Sequence, residues 1–308
     1  MSYHKKTVLI VCGPTAVGKT SAAILLAKHF NTEIISADSR QCYKELKIGV
    51  ARPSEEDLKE VTHHFIASNS VTENINAAFF EQYALKEVNK LFQKHDVVIM
   101  VGGTGLYIKA FTEGLDAIPE VDDSIRKKII ADYETKGLQW LQEQVKAKDP
   151  SFYAVGEIQN PQRLMRALEV IGSTGRSILE FRNNKKAERD FNIIKIGLEL
   201  PKAELHTNIN TRVDKMIEEG LVQEVNSLRG YRDVNALQTV GYSEIFKHLD
   251  GKFSLDKAIE EIKKNTRQYA KRQMTWFRKD KDVIWINARE SNEIIAMAQK
   301  LVEAANKH

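Results

Sequence analysis

Residues 7–20 read TVLIVC and then GPTAVGKT, an apolar run that stops abruptly at glycine and proline and gives way to the helix-forming stretch SAAILLAKHF. An apolar run that does not alternate with polar residues needs cover on both faces, which predicts an interior strand of a parallel sheet. The same character recurs in EIISA (33–37), DVVIMV (96–101), NIIKIGLEL (192–200) and DVIWIN (282–287), with helical patterns between or after them. Repeated strand and helix units of this kind predict an α/β fold, a parallel sheet flanked by helices.

GPTAVGKT satisfies the spacing G-x-x-x-x-G-K-[ST] and sits between a strand and a helix, the context that the motif requires. Glycines let backbone N–H groups converge on phosphate oxygens at a helix N-terminus. Lys19 adds a positive charge, and the Thr20 hydroxyl can reach Mg²⁺. The core is therefore expected to be of the P-loop type, with Gly13, Pro14, Thr15, Ala16, Val17, Gly18, Lys19 and Thr20 forming a phosphate cradle. Nucleotide hydrolases of this class hold Mg²⁺ with an acid ending another core strand. Here DVVIMV runs into Gly102-Gly103-Thr104-Gly105 instead, which argues against hydrolysis.

A carboxylate does follow the second strand, as Asp38 in SADSRQCY. Strand carboxyl ends face the ligand crevice of a parallel sheet, so Asp38 is expected to look toward the phosphate site. It can also cap the next helix, through a different atom. The GGTG turn suits close approach of a ligand and a ligand-free tight connection equally.

From Gly114 to about Arg189 the strand pattern stops. Asp122 or Asp123 can cap a helix carrying Ile125, Ile129 and Ile130 that Gly137 ends, and Asn160-Pro161 opens another with Leu164, Leu168 and Ile171 on one face. These features predict an all-helical domain over 114–190 inserted into a core made of 1–113 and 191–308, with RNNKKAERD (182–190) as the return linker. Arg163 and Arg166 fall on one side of the second helix, where they serve an anionic partner or simply solvate the face. A further helical block covers about 203–249, broken at Gly220, Gly230 and Gly241. Ser254 then caps a long helix reaching about Lys279.

Net charge is only +4 over 308 residues, so an acidic partner has to be argued from where the charge lies. It concentrates in KKNTRQYAKRQMTWFRKDK (263–281), which holds eight Lys or Arg against one Asp, with Tyr269, Trp276 and Phe277 among them. On a helix this makes a basic stripe able to follow a phosphate backbone, with aromatics for base stacking or for core packing; of the adjacent Trp276 and Phe277, one is expected to face inward. The two cysteines, Cys12 and Cys42, match no zinc pattern and are expected to be free thiols. Lys5-Lys6 ahead of an apolar run faintly resembles a signal peptide, but the run is too short and ends at Gly-Pro. No apolar run approaches the roughly 20 residues that span a bilayer.

GPTAVGKT, DSRQCY, VGGTGLY, NPQRLMRALEV, RVDKMIEEGLVQEV (212–225), TVGYSE (239–244) and RQYAKRQMTWFR (267–278) together resemble, in order, the signatures of the bacterial tRNA dimethylallyltransferase family. The resemblance implies transfer of a dimethylallyl group from dimethylallyl diphosphate to N6 of the adenine 3′ of the anticodon, with diphosphate as leaving group and Mg²⁺ as cofactor. It implies that Asp38 is the general base, with Lys19, Thr20 and Arg212 stabilising the diphosphate. It places Ser39, Arg40 and Gln41 with Asp38 at the target nucleotide and Thr104 in the channel where donor and base meet. Arg126, Gln162, Arg163, Leu164, Met165 and Arg166 are implied as tRNA contacts from the insertion. A cytoplasmic monomer with no membrane segment is expected. Where many relatives carry an aliphatic residue this chain has Cys42, expected near the channel wall and sensitive to alkylation. The competing readings are a P-loop kinase, a transferase using free AMP, and a catalytically silent RNA-binding module.

Overall fold

A computed structural model describes residues 5–182 and 185–306. Asn183 and Asn184 of the expected return linker, and residues 1–4 and 307–308 of the expected core, lie outside the described residues. Two compact units are formed, one by Met1–Thr112 with Glu188–His308 and the other by Glu113–Ala187.

Among the described residues the first unit is built on six parallel strands. In chain order it runs β1 (Thr7–Cys12), α1 (Lys19–His29), β2 (Ile34–Ser36), α2 (Glu55–Glu60), β3 (His63–His64), α3 (Ala77–Leu91), β4 (Val97–Val101) and α4 (Gly105–Glu113). The strands β1, β2 and β4 lie within the first three apolar runs. β3 escapes the sequence pattern because it is a two-residue edge strand of histidines, paired with Ile34 and Ile35 of β2 and tied by His64 to Glu33.

The second unit contains α5 (Asp123–Lys148), α6 (Pro150–Val155) and α7 (Pro161–Thr174). The Asp122 side chain accepts from the Ser124 amide to start α5, and Gly137, at φ 74°, interrupts its helical geometry midway. Asn160 caps α7 by accepting from the amides of Gln162 and Arg163, with Pro161 in the first turn. The unit has its own core around Ile129, Leu141, Val145, Phe152, Leu164 and Leu168.

The chain then returns to the first unit with β5 (Asn192–Glu199), α8 (Lys202–Glu218), α9 (Leu221–Ser227), α10 (Tyr242–Leu249), α11 (Leu255–Phe277), β6 (Val283–Asn287) and α12 (Ser291–Ala305). Strand order is β3-β2-β4-β1-β5-β6. Val8 and Ile10 of β1 belong to one hydrophobic cluster and Leu9 and Val11 to the other, so both sheet faces are covered. That is why β1 reads as a continuous apolar run. The helix α12, not anticipated above, buries Ile294, Ala298 and Val302 at helical spacing. No helix among the described residues is long and apolar enough to cross a membrane.

Candidate active site

The site lies at the carboxyl ends of β1, β2 and β4. After β1 the chain turns through Gly13, at φ 137°, and Gly18, at φ 98°, into α1. Gly18 has no side chain to cap the helix, so the N–H groups of the first turn are left to whatever enters the loop. Around this loop is a cavity of about 140 Å³ whose lining includes Thr15, Gly18, Lys19, Thr20, Asp38, Gln41, Gly103 and Arg212. A second cavity, of about 220 Å³, also touches Thr15, Asp38 and Arg212; it adds Ser39 and Arg40, and its far wall is Val213, Met216, Val240, Ile262 and Tyr269.

Electrostatics in the first cavity favour an anion. The Lys19 amine donates to the Pro14 carbonyl at 2.7 Å. Its pKa is lowered to about 8, chiefly by burial and then by the neighbouring Arg212 guanidinium, with Asp38 pulling the other way. Arg212 reaches Thr15 Oγ1 at 3.3 Å, and burial also lowers its pKa. Two cations held together at a cost in hydration form a site that a multiply charged anion stabilises.

Asp38 divides its two oxygens between two tasks. Oδ1 accepts from the amides of Arg40 at 2.9 Å and Gln41 at 3.2 Å, fixing the turn after β2. Oδ2 is left to the two cavities that Asp38 lines. Thr104 Oγ1 accepts from the Ser39 amide at 3.0 Å and so ties the β4 turn to the β2 turn. Gln41 is committed structurally, since its Nε2 donates to the carbonyls of Val50 and Ala51.

The GGTG turn serves the protein's own packing. A Cβ on Gly103 would sit 2.2 Å from Gln273 Nε2, and one on Gly105 would sit 2.2 Å from the Trp276 indole. Trp276 covers that glycine and is 39% exposed, whereas Phe277 is buried. The basic stripe on α11 is smaller than its sequence suggests. Lys263 pairs with Asp214, Lys264 with Glu261 and Arg278 with Glu199, and Arg267 donates to Asn210, which leaves Lys271, Arg272, Lys279 and Lys281 exposed on this segment without such a partner among the described residues.

Several expectations are corrected. Leu164 and Met165 are 0% and 6% exposed and belong to the core of the helical unit, so their side chains cannot meet RNA. Helical spacing alternates them with Gln162, Arg163 and Arg166, which do reach the surface. Arg126 and Arg166 converge on the buried Glu169 carboxylate, at 3.8 and 3.3 Å, and Arg163 pairs with Glu157 at 2.9 Å. Cys42 is fully buried, and burial pushes its thiol up to about 12, so it is not a reactive group. Pro14 and Val17 of the loop are buried as well, and can contribute only backbone.

Two features of the site had no sequence signal of their own. Glu224, within RVDKMIEEGLVQEV, accepts from the amides of Lys47, Ile48 and Gly49 and from the Tyr242 hydroxyl at 2.6 Å. It thereby fixes the segment containing Val50 and Ala51, which line both cavities. Gln273 is the other: its Oε1 accepts from the Thr15 amide at 2.8 Å and its Nε2 donates to the Gly103 carbonyl at 2.9 Å.

Comparison with known proteins narrows what such a site serves. A family model described as IPP transferase matches residues 41–280. A tRNA dimethylallyltransferase of Christiangramia forsetii is 49% identical over 285 residues, covering 92% of this chain and 94% of the relative. Among solved structures, a tRNA isopentenylpyrophosphate transferase of Bacillus halodurans aligns with a TM-score of 0.73 at 35% identity, covering 98% and 99% of the two chains. A eukaryotic dimethylallyltransferase solved acting on tRNA aligns with a TM-score of 0.77 at 25% identity, covering 97% of this chain and 80% of that one. The apolar strand runs, the phosphate loop, the carboxylate beside it and these likenesses agree: the chain belongs to the IPP transferase family.

Proposed function

We propose that this protein transfers the dimethylallyl group of dimethylallyl diphosphate to N6 of the adenine 3′ of the anticodon in tRNA, releasing diphosphate. The observation that carries the reading is the presence of a carboxylate, Asp38, in the same cavity as Lys19, Arg212 and the phosphate loop. Membership of the family supports the choice of donor and acceptor.

Adenine N6 is a weak nucleophile because its lone pair is delocalised into the ring. The allylic C–O bond breaks once the charge growing on the diphosphate is stabilised, the role we give to Lys19, Arg212, the Thr20 hydroxyl and the backbone N–H groups of residues 16–20. As the N6–C bond forms, the N6 proton passes to the free oxygen of Asp38, acting as general base. Ser39, Arg40 and Gln41 hold the turn that presents this carboxylate, and Thr104 fixes that turn through Ser39.

Mg²⁺ suits these residues only in the manner of a substrate-bound ion. No group of three or more His, Cys, Asp or Glu that could hold a metal occurs among the described residues. The Thr20 hydroxyl offers a hard oxygen donor, and a cation here would draw its other ligands from diphosphate and water. Bound, it would neutralise charge on the leaving group.

Extrusion of the adenine from its loop costs a few kcal/mol in unstacking, which contacts to the stem and loop must offset. We assign these contacts to Arg126, Gln162, Arg163 and Arg166 of the helical unit and to the exposed basic residues of α11. The deciding experiment is incubation with labelled dimethylallyl diphosphate and unmodified tRNA, followed by mass analysis of a nuclease digest. Adenosine heavier by one dimethylallyl group at the position 3′ of the anticodon is expected. Efficient labelling of free AMP, or transfer of phosphate from a nucleotide with no label in tRNA, would overturn the reading.

A further inference from the structure

We propose that Gln273 is a positioning residue for the transfer, a buried amide clamp that holds the leaving-group loop and the acceptor-side turn at a fixed separation. The inference rests on the reaction proposed above.

Thr15 and Gly103 follow β1 and β4, which are neighbours in the sheet and paired in parallel from Thr7 to Val11. Beyond the strand ends the ladder stops, and the two turns diverge into α1 and α4. Gln273, 6% exposed on the inner side of α11, closes that gap by accepting from the Thr15 amide and donating to the Gly103 carbonyl. A primary amide carries an acceptor and a donor on one rigid plane and so satisfies an N–H and a C=O together. An ionised carboxylate would face the Gly103 carbonyl with a second acceptor, and an aliphatic chain would satisfy neither group.

What the clamp joins gives it consequence. Thr15 lies in the loop with Lys19 and takes the Arg212 hydrogen bond on its hydroxyl. Gly103 precedes Thr104, whose hydroxyl fixes Ser39 next to Asp38. Backbone bonds from the Gly102 amide to the Val11 carbonyl and from the Thr104 amide to the Ala37 carbonyl hold the strand ends, and Gln273 is the side chain that extends this spacing to the leaving-group loop itself. Gly103 has no room for a Cβ because the amide of Gln273 fills that place. Misplacement of reacting groups by about 1 Å costs on the order of 10²-fold in rate.

The test uses Gln273→Met, which keeps length and shape without either polar atom, Gly103→Ala, which displaces the amide without altering α11, and the double variant. Single-turnover transfer to an anticodon stem-loop is measured alongside Kd for dimethylallyl diphosphate and for the stem-loop, below the unfolding transition of each variant. Each single variant is expected to lose about 10²-fold in rate with both Kd values within about threefold of wild type. The double variant is expected to fall no further, because both changes break the same clamp. A Gln273→Met rate within threefold of wild type, a loss confined to Kd, or losses that multiply in the double variant would each overturn the inference. If Gln273→Met does not fold, Gly103→Ala measures the same clamp alone. Absence of transfer by the wild-type protein would instead refute the proposed reaction.

Discussion

Replacing Asp38 by asparagine separates the two jobs of its carboxylate. Oδ1 accepts from the Arg40 and Gln41 amides at 2.9 and 3.2 Å, and an asparagine oxygen can keep both bonds. The second oxygen becomes an NH₂ group with no basicity, so the turn survives while the proton acceptor is lost. Removal of a general base costs about 10²–10⁴-fold, which corresponds to roughly 3–5 kcal/mol in the transition state. Asp38→Ala breaks both bonds as well, and loss of a charge-assisted pair is expected to destabilise the fold by about 2 kcal/mol. The assay is single-turnover transfer of labelled dimethylallyl to an unmodified stem-loop, read beside stem-loop affinity and thermal unfolding. Asp38→Asn should unfold like wild type, bind the stem-loop like wild type and transfer at least 100-fold more slowly. Transfer within threefold of wild type would refute the general-base role, and a loss of RNA affinity in step with the rate would make Asp38 a binding group.

Three other outcomes follow from the same geometry. Lys19 has its pKa lowered to about 8 in the folded protein, against an ordinary 10.5, so between these values the unfolded chain holds the extra proton and stability rises with pH. The charge that grips diphosphate is lost over that same rise: diphosphate affinity should fall as pH passes about 8 in wild type and stay flatter in Lys19→Met by calorimetric titration. Cys42, like Cys12, is buried with its thiol pushed up to about 12, so iodoacetamide at pH 8 should label neither residue in the native protein and both after unfolding; rapid native labelling at Cys42 would contradict its burial. Glu224→Gln leaves a single acceptor oxygen for three amides and the Tyr242 hydroxyl, and should cost about 2–3 kcal/mol, seen as an unfolding midpoint lower by about 5 °C or more.

The sequence by itself determined the frame. Unbroken Val and Ile runs can be satisfied only by strands covered on both faces, and β1, β2, β4, β5 and β6 lie within the five such runs. Asn160-Pro161 and Ser254 likewise start helices where their side chains can accept from first-turn amides, a preference local to a few residues. GPTAVGKT specified a phosphate loop because its chemistry resides in the backbone of eight consecutive positions. Tertiary structure decided whatever depends on two distant segments meeting. Leu164 and Met165 could be placed in a core only once α7 had a partner to pack against, and the basic stripe lost Lys263, Arg267 and Arg278 to groups far along the chain. Gln273 sits among eight cations in the sequence and resembles a spacer between them. Its role depends on Thr15 and Gly103, 258 and 170 residues away, which no local pattern encodes. Side-chain hydrogen bonds over such separations are set by how the sheet brings strand ends together, so the cradle was legible in the sequence and the clamp that spaces it from the base was not.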